Sequence, residues 1–322
     1  MLVVASLQRN LSDHKFISST LFLFVFLFAI ECFGAGTQKA KYVVAYAQDT
    51  MTNDWRAAQV QQLEEGFAKY PGIKFIFTDA NGSTAKQVQD IEDLVYQKVD
   101  VLMTSPRDMN LMTPVISKTY KSGIPVVLVT RRISNDDFTS FVAPDDRDIA
   151  RQAARYIAKK LNGKGRVFML QGVPTATTAI MRTEGFLEEI KKYPGIKVVA
   201  IKTANYLRSD AVKVTDELIA SGIEFDALYA QSDSMASGAR LAMVKSGINP
   251  VDKIIVGIDY ISEAKKAIIE GHQSASFLYP TSASQAVQVV LKILNNKKVP
   301  RHVRVDSRII TKNNVHAVDP IF

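Results

Sequence analysis

The chain is predicted to be an α/β protein of two similar, doubly wound parallel-sheet lobes, and three observations predict it. The phrase Lys69-Tyr70-Pro71-Gly72-Ile73-Lys74 returns as Lys192-Tyr193-Pro194-Gly195-Ile196-Lys197, each copy stopping a helix and launching a strand. The flanks return with it: Glu65-Gly66-Phe67 and Glu184-Gly185-Phe186 precede the copies, and Ala80-Asn81 and Ala204-Asn205 follow them. Strand-like and helix-like segments also alternate along the chain, the rhythm of right-handed βα units. Tyr-Pro-Gly by itself is ordinary punctuation, since Pro and Gly favour helix ends and turns. The matched flanks favour duplication, and two similar lobes imply a ligand cleft between them.

The elements follow in order. Val43 to Ala47 is an apolar strand, followed by a loop, a helix from about Asp54 to Tyr70, a strand at Phe75 to Thr78 and a helix at Thr84 to Gln97. Then come a strand at Val101 to Thr104, a helix near Met112 to Lys121, a strand at Val126 to Thr130, a short strand at Phe141 to Ala143 and a helix from Asp148 to Leu161. The second half repeats the pattern with strands Val167 to Leu170, Val198 to Ile201, Leu228 to Ala230, Ile254 to Gly257 and Ala275 to Leu278. Its helices are Ala179 to Lys192, Asp210 to Ser221, Met235 to Lys245, Ile261 to Glu270 and Ala283 to Leu294, with Val303 to Ile310 a final extended segment. The strands are short continuous apolar runs, as expected for parallel sheets buried on both faces.

The 322 residues suffice for two lobes, and 47% hydrophobic with 22% charged residues is ordinary globular composition. The first 35 residues read differently: Arg9, His14 and Lys15 precede the apolar run Leu21 to Ile30, and Gly34, Ala35 and Gly36 follow. That run is too short to span a bilayer, and the order basic, apolar, small is that of an export signal, so residues 1–35 are read as a signal peptide. Cys32 is the only cysteine; its removal would leave no thiol, disulfide or thiolate metal site. A lipid on Cys32 is the lesser reading, because Glu31 stands where lipoprotein signals carry a small residue.

The net charge of +8 belongs to the mature chain, since the first segment balances Arg9 and Lys15 against Asp13 and Glu31. The basic residues are scattered over helices, with no helix-turn-helix and no aromatic-basic interleaving, so no nucleic-acid partner is expected. No Gly-x-Ser-x-Gly elbow, Walker loop or Gly-x-Gly-x-x-Gly occurs, and His14, His272, His302 and His316 are too dispersed for a zinc pair. The expectation is therefore no enzyme, no cofactor and no metal.

Seven segments occur in the order seen in periplasmic sugar-binding proteins of the ribose and galactofuranose type. They are Val43 to Gln48, Asn53-Asp54-Trp55-Arg56-Ala57-Ala58, Pro125 to Arg131, Gln171-Gly172, Met181 to Phe186, Ala230 to Ala239 and Val256-Gly257-Ile258-Asp259. From Tyr42 to about Ile310 the chain resembles that family, which has a type I periplasmic binding fold, and Trp55-Arg56-Ala57-Ala58 is most similar to its galactofuranose-binding branch. Autoinducer-2 receptors are a related branch.

The resemblance implies a site. Trp55, at the carboxyl edge of a sheet, would cover the apolar face of a sugar, or else anchor the core. Arg56 would reach a ring or hydroxyl oxygen, or simply begin an exposed helix. Arg131 and Arg182 would approach the ligand from opposite lobes with rigid guanidinium forks, and Asp259 would accept two hydroxyl protons unless it caps the following helix. Thr130 stands where the family usually has Asp and Ser232 where it usually has Asn, both offering hydroxyls. Gln48, Asn53, Tyr206 and Tyr279 occupy neighbouring family positions, as ligand contacts or as supports. Arg56, Arg131 and Arg182 against Asp259 leave a positive surplus, which suggests a different furanose-like ligand or one with a carboxylate or phosphate.

The resemblance also implies discontinuous lobes, 41–144 plus 281–308 and 145–280 plus 309–322, joined by a three-segment hinge near Pro144 to Asp146, Tyr279 to Thr281 and Ile309. The implied protein is a periplasmic monomer that delivers a small sugar or sugar-like ligand to the permease of an ABC importer. Service as the ligand-presenting subunit of a membrane sensor is the alternative. A transcription repressor would need an N-terminal DNA-binding headpiece where the export signal stands, and a hydrolase or isomerase would need turnover.

Overall fold

A computed structural model describes residues 40–322, so the expected export signal, with His14 and Cys32, lies outside the described residues. The elements run β1 (Tyr42–Gln48), α1 (Asp54–Phe67), β2 (Ile73–Asp79), α2 (Thr84–Tyr96), β3 (Val101–Thr104), α3 (Thr113–Lys121), β4 (Val126–Val129) and β5 (Ser140–Ala143). They continue α4 (Asp146–Lys160), β6 (Lys164–Gln171), α5 (Thr177–Ile190), β7 (Gly195–Thr203), α6 (Arg208–Ala220), β8 (Ala227–Ala230) and α7 (Asp233–Lys245). The last are β9 (Ile254–Asp259), α8 (Ser262–Glu270), β10 (Ala275–Leu278), α9 (Ala283–Leu294), β11 (His302–Arg304) and β12 (Ile309–Thr311).

Two six-stranded sheets form, in the orders β2-β1-β3-β4-β5-β11 and β7-β6-β8-β9-β10-β12. The orders are the same once the halves are superposed strand for strand, so the sequence duplication is a duplication of topology. All pairings are parallel except β10 with β12. Alternate residues of β1 feed two cores: Val44 and Tyr46 meet α1 and α9, while Ala45 and Ala47 join a cluster with Ile91 of α2 and Ile116 of α3. Burial on both faces is why the strands read as unbroken apolar runs rather than as alternation.

The repeated phrase is the same turn twice. The Ile73 N–H donates to the Tyr70 carbonyl and the Ile196 N–H to the Tyr193 carbonyl, each at 2.9 Å. The repeated Glu-Gly-Phe marks close helix packing. A Cβ on Gly185 would stand 2.4 Å from the Arg147 carbonyl oxygen of α4, and one on Gly66 would stand 2.8 Å from Val287 of α9. Phe67 and Phe186, next in sequence, are buried in the two cores. Each contributes about 1.5–3 kcal/mol by leaving water.

Three boundaries differ from expectation for identifiable reasons. The fourth helix begins at Asp146 because the Asp145 side chain caps it, accepting from the Asp148 N–H at 3.0 Å. The seventh begins at Asp233 because Ser232 caps it, accepting from the Met235 N–H at 3.2 Å. The segment expected as one extended piece from Val303 to Ile310 is two strands, and the chain changes sheets between them. Among the described residues no helix is long and apolar enough to cross a membrane.

Candidate functional site

The loops after β1, β3 and β4 meet the loops after β6, β8 and β9 at the carboxyl edges of the two sheets, where the strand order reverses and ligands bind in open α/β sheets. On the first lobe the central group is Asp49, which follows β1 and is buried. Its Oδ2 accepts from Arg131 Nη1 at 2.7 Å and lies 3.7 Å from Arg107 Nη1, while its Oδ1 lies 3.5 Å from Arg56 Nε. Burial opposes its charge, but Arg131 and Arg56 outweigh burial and hold its carboxyl below the usual carboxylate range. Asp49 Oδ1 and Arg131 Nε are buried without a hydrogen-bond partner among the described residues. The Arg56 contact to Oδ1 is therefore one of charge without hydrogen-bond geometry.

Asn53 caps α1, its Oδ1 accepting from the Arg56 N–H at 3.2 Å, and this fixes the first turn that carries Trp55 and Arg56. Trp55 Nε1 donates to the Tyr279 carbonyl at 3.1 Å, and the two rings stand 5.7 Å apart. Trp55 both lines the cleft and joins a hydrophobic core cluster. Arg56 lies over the Trp55 ring and donates to Ser105 Oγ at 2.9 Å and Thr130 Oγ1 at 3.3 Å. Thr130 itself has φ of 63°, a strained conformation for a β-branched residue.

On the second lobe Arg182 of α5 donates through Nε to Asp146 Oδ1 at 2.7 Å and through Nη1 to the Gln231 carbonyl. Burial disfavours the Arg182 charge, yet Asp146 keeps the guanidinium charged. The Tyr279 hydroxyl donates to Asp146 Oδ2 at 3.2 Å, and its ring lies 4.4 Å beneath the Arg182 guanidinium. The Tyr206 ring rests on Gly172, where a Cβ would stand 2.0 Å from Tyr206 Cζ, and its hydroxyl shares a 2.9 Å bond with Thr178. Asp259 ends β9 with φ of 120°, and burial pushes its carboxyl well above the usual range against the pull of Arg182. Strained backbone at Thr130, Tyr206 and Asp259 on one cleft is the pattern of a functional site.

The lobes touch. Asn53 Nδ2 donates to the Tyr206 carbonyl at 2.6 Å, the Arg132 N–H to Thr177 Oγ1 at 3.0 Å and the Met109 N–H to the Thr175 carbonyl at 2.9 Å. Between them lies a narrow cleft lined by residues of both lobes.

Trp55, Arg56, Arg131, Arg182, Asp259, Thr130, Ser232, Asn53, Tyr206 and Tyr279 all line this cleft. Gln48 does not: it is fully buried, and its Oε1 accepts from the Asp49 N–H at 2.9 Å, which shapes the loop beneath the site. Asp259 is no helix cap, since Ile261 holds the N-cap of α8. The expected positive surplus is smaller than the sequence implied, because Asp49 pairs with Arg131 and Asp146 with Arg182, but Arg107 joins the same cluster and a positive excess remains. Sequence reasoning missed Asp49, Arg107 and Asp146. Asp49 and Arg107 follow the carboxyl ends of β1 and β3, a position that would have revealed them.

A profile of the periplasmic binding protein domain matches residues 44–298. The chain is similar to the ribose import binding protein of Bacillus subtilis, 28% identical over 85% of this chain and 88% of that one. It is also 28% identical to the galactofuranose-binding protein of Escherichia coli, over 87% of this chain and 89% of that one. Among solved structures it is similar to the fructose-binding periplasmic domain of a hybrid two-component system, with a TM-score of 0.82 and 29% identity over 86% of this chain and 92% of that one. With two duplicated lobes closing on a charged, aromatic-walled cleft, the chain belongs to the periplasmic binding protein family.

Proposed function

We propose that the protein is a periplasmic solute-binding protein that captures a small sugar or sugar-like polyol in the cleft and delivers it, as a monomer, to the permease of an ABC importer. The observation that carries this reading is the composition of the cleft, in which Arg131 and Arg182 oppose Asp259 beside Trp55 and Tyr206. Guanidinium donors, a carboxylate acceptor and flat aromatic faces are what a ring rich in hydroxyls requires. In this reading Thr130, Ser232 and Asn53 add polar contacts, and Arg56 and Tyr279 brace the wall. The lobes, taken as 41–144 plus 281–308 and 145–280 plus 309–322, close over the ligand on three hinge segments, and a membrane partner distinguishes closed from open by their relative position. The names of the relatives support both the sugar and the import role.

A second reading is favoured by the fructose-binding domain of the two-component system, in which closure would signal to a membrane sensor rather than feed a permease. Either way the protein binds without turnover, and ligand should be recovered unchanged. Native mass spectrometry of protein purified without denaturation, followed by titration calorimetry of the ligand found, tests the proposal. Recovery of a pentose, hexose or polyol supports it. A peptide or amino acid in the cleft, or chemically altered ligand, would sink it.

A further inference from the structure

The sequence motif that implied the site does not contain Asp49, yet Asp49 is the carboxylate that Arg131, Arg56 and Arg107 all face. Both Asp49 and Arg131 line the cleft, and among the described residues each keeps one buried polar atom without a hydrogen-bond partner: Oδ1 lacks a donor and Nε lacks an acceptor. A hydroxyl satisfies both at once, giving its proton to Oδ1 and accepting from Nε. A carboxylate or phosphate satisfies only Nε and sets its charge against Oδ1. With the lobes in contact these atoms are covered, the Tyr206 ring of the second lobe standing 5.7 Å from the Arg131 guanidinium. Opening of the cleft gives a ligand access to them.

We propose that Asp49 is the specificity-determining residue of the cleft, selecting a neutral polyol over the corresponding sugar acid by accepting a ligand hydroxyl at Oδ1, where a ligand carboxylate would meet like charge. This rests on the sugar-binding reading above and names the ligand's charge class. Thr130 follows from it. The resembled family usually carries its carboxylate at that position, one residue before the arginine, and here Asp49 supplies a carboxylate to Arg131 from a different loop.

The test is titration calorimetry with D-ribose, D-xylose and D-galactose, each beside its acid D-ribonate, D-xylonate or D-galactonate. The unmodified protein should bind the neutral member of the best pair at least about tenfold more tightly. Asp49→Asn should weaken the neutral sugar and strengthen the acid by about tenfold each, moving their ratio about a hundredfold. Asp49→Asn combined with Thr130→Asp returns a carboxylate to the same guanidiniums, since Thr130 Oγ1 is 3.3 Å from Arg56 Nη1, and should restore the neutral preference. If Asp49→Asn does not fold, Thr130→Asp alone carries the test and should deepen the neutral preference by about tenfold. Preference of the unmodified protein for an acid, or a ratio unmoved by these changes, overturns the assignment of Asp49. Binding of neither member of any pair overturns the sugar reading itself.

Discussion

Asn53 touches both lobes with the two ends of one amide: its Oδ1 caps α1 at the Arg56 N–H, and its Nδ2 donates across the cleft to the Tyr206 carbonyl at 2.6 Å. Helix capping and lobe closure thus meet in a single side chain. Asn53→Asp keeps the cap acceptor but replaces the donor with a charge facing a carbonyl. Unfolding of the ligand-free protein should change by less than about 0.5 kcal/mol, while ligand release accelerates about tenfold or more. Stopped-flow release beside chemical denaturation checks this, and equal loss in both would assign Asn53 to the fold alone.

Asp259→Asn should separate function from stability. Burial opposes the Asp259 charge, so its removal relieves the ligand-free protein by about 0.5–2 kcal/mol, and Asn tolerates the positive φ. Affinity should fall by a decade or more with loss of a charged hydrogen bond. Arg131→Ala should behave differently. It takes away the hydrogen bond to the buried Asp49 Oδ2 while Arg56 and Arg107 still face that carboxylate, so stability falls by about 1–3 kcal/mol along with binding. Sequence alone treats both as cleft groups without a role in the fold, and denaturation of the ligand-free variants decides the matter.

Gly172→Ala should weaken binding and destabilise the protein by about 1–3 kcal/mol, because the new Cβ collides with the Tyr206 ring. Gly72→Ala is the control. Among the described residues no atom lies within 4 Å of its Cβ position, and its unfolding midpoint should rise slightly or stay unchanged. An unaltered Gly172→Ala protein would show that the Tyr206 ring moves aside freely.

Asp233 gives the protein a pH dependence of known sign. It accepts from the Tyr260 N–H at 2.6 Å and Gln273 Nε2 at 2.7 Å, yet burial pushes its carboxyl up to about 6. The folded state therefore holds this proton more tightly than the unfolded chain, whose Asp titrates near about 3.9. The contribution is fully present below about pH 4 and is lost as pH rises toward about 6, a change of about 3 kcal/mol. Stability of the unmodified protein relative to Asp233→Asn should fall across that window. A flat difference would mean that Asp233 titrates normally.

Much of the fold was legible because its signals are local. Apolar runs such as Val126 to Val129 mark buried parallel strands, and Tyr-Pro-Gly marks a turn wherever it stands. The sheet change between β11 and β12 was not legible, since three-residue strands carry too little pattern to declare a partner. The cleft residues were found through a motif, and the motif was silent on their counter-ions. Asp146 looks like any first-turn helix acid until Arg182 lies 2.7 Å away, and that distance exists only after two segments have folded together.

The late return of the chain to its first sheet sets an order of assembly. The edge strand β11 pairs with β5, and α9 covers the core formed by β1, β3 and α1, yet both come from the far end of the sequence. A growing polypeptide makes the first lobe first and completes it last. Until α9 has emerged, Val44, Tyr46 and Met103 lack their cover from Ala286, Val287 and Val290, and an apolar face awaits its lid. Such a chain cannot complete its first lobe until the strands and helices of its second have been made.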